Sequence, residues 1–196
     1  MNTKFKIEPF MAVDLECTGN DFRKGGEICQ IGAIVVNEKI EETSAFMTYV
    51  FPNTAYRDPE AMAVNKIKET DLASAPRMKI ALKSLSELYS QQSKRIPVGA
   101  WGIHFDIPFL RAAYFDNGME YPFSGRCFDM KSAAIWALAT KGIPFSGSPF
   151  KAAKVLEFID KNEYQKLSSE IDTLTQHDAI FDVKAALAVL RAISKL

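Results

Sequence analysis

Three cysteines in 196 residues are too few and too irregularly placed to staple a fold. Cys17, Cys29 and Cys127 leave one thiol over and form no Cys-x-x-Cys pair of a zinc or redox site, so reduced thiols with structural roles are expected. An excess of charge of either sign is also missing. Lys+Arg and Asp+Glu each number 24, the formal net charge is zero, and bulk charge predicts no pull toward a polyanion or an anionic membrane. Contact with nucleic acid would need a local device. The longest apolar run covers residues 133–139, far short of the roughly 20 that span a bilayer, so no membrane partner is expected. Glu8 and Pro9 precede any apolar stretch, which leaves no signal-peptide core and predicts a cytoplasmic protein that starts at Met1. Glycine-rich phosphate loops of the Gly-x-Gly-x-x-Gly or Gly-x-x-x-x-Gly-Lys-Ser/Thr kind are absent, which leaves a nucleotide-binding domain unsupported.

What the sequence does hold is material for a core. Hydrophobic residues make up 47% and charged residues 24% of the chain, the balance of one compact domain over residues 1–196. Residues 10–15 and 28–36 are apolar and β-branched, with Gly25-Gly26 between them as turn chemistry, and predict adjoining strands. Residues 45–51 predict a third. Asp58-Pro59 and Ser148-Pro149 each pair an N-cap with a proline at the first helical position, opening helices that run to about residues 64 and 159. Met78, Leu82, Leu85 and Tyr89 recur at helical spacing within 77–93. A buried strand over 95–101 is followed by a helix over 107–115, closed by Asn117-Gly118 as a left-handed cap. A short strand over 126–130, a helix over 131–140 and a closing helix over 179–193 complete the series. Three strands followed by alternating helices and strands predict an α/β fold with one mixed sheet flanked by helices.

The segment richest in chemistry is Asp14-Leu15-Glu16-Cys17-Thr18-Gly19. A strand alternates its faces, so Asp14 and Glu16 point one way while Val13 and Leu15 point the other. Two carboxylates side by side on a buried strand are costly unless something positive lies between them. A divalent cation answers that need, because carboxylate oxygens suit magnesium or manganese. A solvated strand end ringed by two acids is the competing reading. Asp106 follows a predicted strand and opens a helix, where an aspartate is commonly an N-cap. His177-Asp178-Ala179-Ile180-Phe181-Asp182 opens the last helix. Asp178 reads as its cap, Asp182 lies about one turn in, and His177 stands at its mouth.

Taken together, Asp14-Leu15-Glu16-Cys17-Thr18-Gly19, Phe105-Asp106 and His177-Asp178-Ala179-Ile180-Phe181-Asp182 resemble, in order and spacing, the signature of the DEDDh family of 3′–5′ exonucleases. Residues 27–33 are similar to that family's second strand, and the likeness runs from about residue 10 to 193. The resemblance implies a ribonuclease H-like fold, a mixed five-stranded sheet flanked by helices. It implies that Asp14, Glu16, Asp106 and Asp182 hold two Mg2+ or Mn2+ ions and that His177 is the general base. Two such ions about 4 Å apart stabilise the attacking and leaving oxygens of a phosphodiester displacement, and an imidazole with a pKa near about 6.5 can take a proton from the attacking water at neutral pH. The implied reaction removes nucleoside 5′-monophosphates from the 3′ ends of single-stranded DNA or RNA.

Two departures bear on the substrate end. The family often carries His-Asn three residues before its Phe-Asp, where this chain has Trp101-Gly102. Cys17 replaces the usual threonine, removing a hydroxyl, although the backbone amides of Cys17, Thr18 and Gly19 are still expected to meet the terminal nucleotide. Bases of single strands stack on aromatic rings at about 1–3 kcal/mol each. Phe105, Phe22 and Phe128 are the candidates, and Phe105 is favoured because its neighbour is Asp106. The main alternative is a catalytically silent nucleic-acid-binding or scaffold protein of the same fold, against which the presence of all five residues speaks. A homodimer and association with a polymerase are both left open by the sequence.

Overall fold

The computed structural model describes residues 7–90, 95–171 and 178–196. Its sheet has five strands, β1 (Phe10–Cys17), β2 (Ile28–Val36), β3 (Glu42–Tyr49), β4 (Val98–Ala100) and β5 (Cys127–Asp129). They lie in the order β3-β2-β1-β4-β5. The first three run antiparallel as a meander, and β4 and β5 join parallel to β1. This is the expected mixed five-stranded sheet flanked by helices.

The pleat of β1 divides the core. Met11, Val13, Leu15 and Cys17 pack on one side with Leu82 and Leu85 of α3 (Met78–Ser90) and with Ile107, Phe109 and Leu110 of α4 (Ile103–Asp116). Phe10 and Ala12 face the other side, against Ile180, Val183 and Leu187 of α8 (Ala179–Ile193). Both faces of β2 are covered, which accounts for its unbroken run of buried residues. The far side of α8 is covered too. Phe181, Ala185, Ala188, Val189 and Ala192 pack with Ala134 of α5 (Met130–Ala139), Ala152 and Leu156 of α6 (Pro149–Ile159) and Leu167 of α7 (Lys161–Ile171). Each large side chain so buried contributes about 1.5–3 kcal/mol relative to leaving it in water. No helix among the described residues is long and apolar enough to cross a membrane.

The capping signals hold. Asp58 accepts from Glu60 N and Ala61 N at the start of α1 (Pro59–Asn65), and Ser148 accepts from Lys151 N above α6. Asp178 accepts from Ile180 N at the start of α8, and Gly118 takes φ of 63° after α4. Elsewhere the boundaries move. α4 begins at Ile103, four residues before its expected start, so Pro108 lies inside it and Asp106 sits in its first turn rather than capping it. The cap is Gly102 at φ of 99°, a left-handed conformation that favours glycine. β3 runs over Glu42–Tyr49 rather than 45–51, and Phe51 bridges to Arg77 instead. Among the described residues two α-helices add to the expected set. The short α2 (Glu69–Ala73) is one, and α7 is the other, started by Asp160, whose carboxylate accepts from Asn162 N and Glu163 N.

Candidate active site

The carboxylates converge at the C-terminal ends of β1 and β4. Asp14 and Glu16 stand on the β1 face that looks toward α8, paired across the antiparallel ladder with Gly32 and Gln30 of β2. The register slips between Glu16 and Cys17, which ends the regular pairing just beyond the second acid. Asp182, in the first turn of α8, completes the group: one oxygen each from Asp14, Glu16 and Asp182 lie within 4.8 Å of one another.

Asp106 arrives from α4. Its Oδ1 accepts from Leu15 N at 3.0 Å, so the fourth acid is fastened to the backbone between Asp14 and Glu16 and lies outside the three-oxygen group. The expected quartet is thus a compact trio with a fourth carboxylate tied to the strand beside it.

The electrostatics follow from burial without a counter-charge. Desolvation, then the charges of Asp106, Asp182, Glu16 and Asp178, hold Asp14 well above the usual carboxylate range. Desolvation, joined by Asp182, Asp106 and Asp178, lifts Glu16 to about 8. Desolvation raises Asp106 to about 7 despite the stabilising hydrogen bond from Leu15, and raises Asp182 to about 6 with help from Asp178. The neighbours that act on Asp14, Glu16 and Asp182 are all acidic. A set of hard oxygens this close, with protonation made easy by mutual repulsion, fits a divalent cation.

In cation-free buffer these shifts fix a pH dependence. Each of the four binds its proton more tightly folded than unfolded, so stability from this source is complete below about pH 4, where both states are protonated. It declines as pH rises through about 6, 7 and 8, the folded values of Asp182, Asp106 and Glu16. Thermal melts in a chelator should therefore show the melting temperature falling from pH 5 to pH 8.5. A melting temperature that rises over that range would contradict the clustering.

The loop after β1 is closely packed. Thr18 is 0% exposed and its polar atoms are occupied: its N donates to Glu27 O at 2.8 Å, its hydroxyl accepts from Glu27 N at 3.0 Å, and its carbonyl accepts from Asp58 N at 2.7 Å. The buried Cys17 offers its carbonyl to Asn65 Nδ2 at 3.1 Å. Gly19 lies under the Tyr56 ring, so close that a Cβ there would meet Cε1 at 2.7 Å. Cys17, Thr18 and Gly19 are buried, and the Thr18 amide is paired within the protein. Tyr56, 41% exposed, is the surface above them.

The aromatic candidates divide. Phe105 is half-buried and leans on Phe109 at 4.9 Å, and Phe109 meets Phe22 edge-on at 5.6 Å. Phe128 packs edge-on against Phe10 at 5.2 Å, on the α8 side of the core. The Trp101-Gly102 departure acquires a structural reason. The Trp101 indole donates to Gly147 O at 3.0 Å and meets Phe145 edge-on, so it anchors the 142–148 loop while Gly102 supplies the left-handed cap. His177 lies outside the described residues. Gln30, Gly32 and Asn65 hold the site's framework, a role that the likeness of residues 27–33 to the family's second strand does not assign. A glutamine and a glycine two apart in the otherwise apolar Ile28–Val36 strand, opposite the two acids, were the available signal.

Residues 11–190 match the RNase_T family model, described as an exonuclease. This chain belongs to the RNase_T exonuclease family. The likeness to DEDDh enzymes carried by the three motifs therefore stands. Over 116 residues this family member is 28% identical to the 3'-5' exonuclease DinG of Bacillus subtilis (strain 168), a match covering 58% of this chain and 12% of that protein. Among solved structures, it superimposes on the zinc-bound exonuclease I–ssDNA complex of E. coli with a TM-score of 0.71 and 18% identity, covering 96% of this chain and 41% of that one. It also superimposes on the nuclease domain of 3'hExo, a DEDDh family member bound to rAMP, with a TM-score of 0.64 and 15% identity, covering 94% and 90%. The chain therefore spans well under half of DinG and of exonuclease I. At these identities the solved structures establish the common ribonuclease H-like exonuclease fold.

Proposed function

We propose that residues 1–196 act as one 3′–5′ exonuclease domain that hydrolyses the terminal phosphodiester of single-stranded DNA or RNA and releases nucleoside 5′-monophosphates. The observation that carries this reading is the convergence of Asp14, Glu16 and Asp182 oxygens within 4.8 Å in a chain matched to an exonuclease family over residues 11–190. The 3′–5′ polarity is supported by the name of the DinG relative, and a single-stranded or ribonucleotide ligand by the DNA and rAMP held in the two similar structures.

Asp14, Glu16 and Asp182, with Asp106 beside them, would hold two Mg2+ or Mn2+ ions. Bound there, the ions would supply the Lewis-acid charge that a phosphodiester displacement needs. The chain's own groups do the rest. Asp106 fixes the end of β1 through Leu15 N, and Asp178 caps α8 so that Asp182 is presented from a rigid turn. His177, the residue before that cap, takes the proton from the attacking water, a role suited to an imidazole.

The test uses 5′-labelled single strands of DNA and of RNA with magnesium. A ladder that shortens from the 3′ end is expected, with the 5′-monophosphate as product. His177→Ala should slow that ladder by about 10²–10⁴-fold without changing its polarity. Release of the label at the first turnover, or full-length strands of both kinds, would overturn the reading.

A further inference from the structure

We infer that Gln30 and Gly32 of β2 are positioning residues that set the height and rotation of α8 and so deliver Asp182 to Asp14 and Glu16. The inference rests on the assignment of Asp182 to the cation-binding group made above.

The two residues sit on the β1-facing ladder directly opposite the acids, Gln30 across from Glu16 and Gly32 across from Asp14. Each engages the same helical turn by a different means. Gln30 is 1% exposed, and its Oε1 accepts from Ala179 N at 3.1 Å, satisfying one of the amides that a helix start leaves without an internal partner. Gly32 works by what it lacks. A Cβ on it would lie 2.5 Å from both Ala179 C and Ile180 N, so the backbone of α8 occupies the volume a side chain would need.

The contacts are backbone atoms, which cannot swing away as a side chain tip can. A hydrogen bond fixes one point of the first turn and a van der Waals floor fixes a second, and the two together define how far Asp182 stands from β1. Asp178 caps the adjacent amide, Ile180 N, from the chain just before the helix itself. Asp182 follows Ala179 by three residues, so any lift or roll at Ala179 is passed to its carboxylate almost undiminished. Displacements of about 1 Å at such a centre cost rate steeply.

Gln30→Met keeps the length of the side chain and removes the acceptor, whereas Gly32→Ala adds one methyl group against α8. Two readouts are needed, Mn2+ affinity measured by electron paramagnetic resonance with no nucleic acid present, and steady-state cleavage of a labelled oligonucleotide. Both variants should bind Mn2+ more weakly and lose kcat, each by about 10–100-fold, the range seen when residues supporting a ligand are removed. KM for the oligonucleotide should stay near its wild-type value, because both residues are buried beneath the site. General destabilisation would lower the melting temperature without this split. Should Gly32→Ala fail to fold, Gln30→Met decides alone. Folded Gln30→Met protein with wild-type kcat and Mn2+ affinity overturns the inference. Asp182→Ala measured in parallel separates the two levels: if it is inactive while Gln30→Met is normal, only the positioning role falls, and if it is fully active the assignment of the site falls first.

Discussion

Asp14→Asn and Asp182→Ala should each abolish measurable hydrolysis, a loss on the order of 10³-fold or more, while leaving a folded protein that melts higher than wild type in a chelator. The loss of rate follows from taking one ligand out of a three-oxygen group, which forfeits several kcal/mol of charge stabilisation in the transition state. The gain in stability follows from the same geometry. Asp14 feels Asp106, Asp182, Glu16 and Asp178 with no balancing cation among the groups that act on it, so a neutral amide relieves repulsion. If the relief is worth about 1–2 kcal/mol, a domain of this size gains roughly 2–8 °C in melting temperature. Wild-type turnover in either variant would remove these residues from the mechanism.

Chelation should be as decisive. With a chelator in excess, cleavage should stop, and adding Mg2+ or Mn2+ should restore it. The same addition should raise the melting temperature at pH 8, because an ion that binds only the folded state at about 100 times its dissociation constant stabilises it by about 2.7 kcal/mol, or roughly 5–11 °C here. The increment should shrink toward pH 5, where protons compete for Glu16, Asp106 and Asp182. Turnover indifferent to chelation would remove the cation from the account.

Much of this was legible in the sequence where one residue type admits one physical reading. Asp58-Pro59, Ser148-Pro149 and Asp178 cap helices as expected, because a short acceptor before a helix start answers a fixed need of the backbone. Asp14 and Glu16 share a face because strands alternate. Misreadings came where tertiary context decides. The expected helix start at about residue 107 is one such place: α4 begins at Ile103 and admits Pro108 inside. Helix α7 escaped because its residues are mostly polar, and Leu167 is the buried contact it makes with the α8 cluster. Nothing local to Thr18 says that its hydroxyl accepts from Glu27 N. Gln30 could not be read for its role, since its partner Ala179 is 149 positions away.

Helix α8 is enclosed on both sides, by the sheet through Ile180, Val183 and Leu187 and by the outer helices through Phe181, Ala185 and Ala188. The outer layer is therefore no removable coat: it backs the beam on which Asp182 is mounted. Hollowing out Leu156 or Leu167, neither of which belongs to the carboxylate group, would loosen that beam from behind, so catalytic competence and thermal robustness are mechanically joined there and would be lost together.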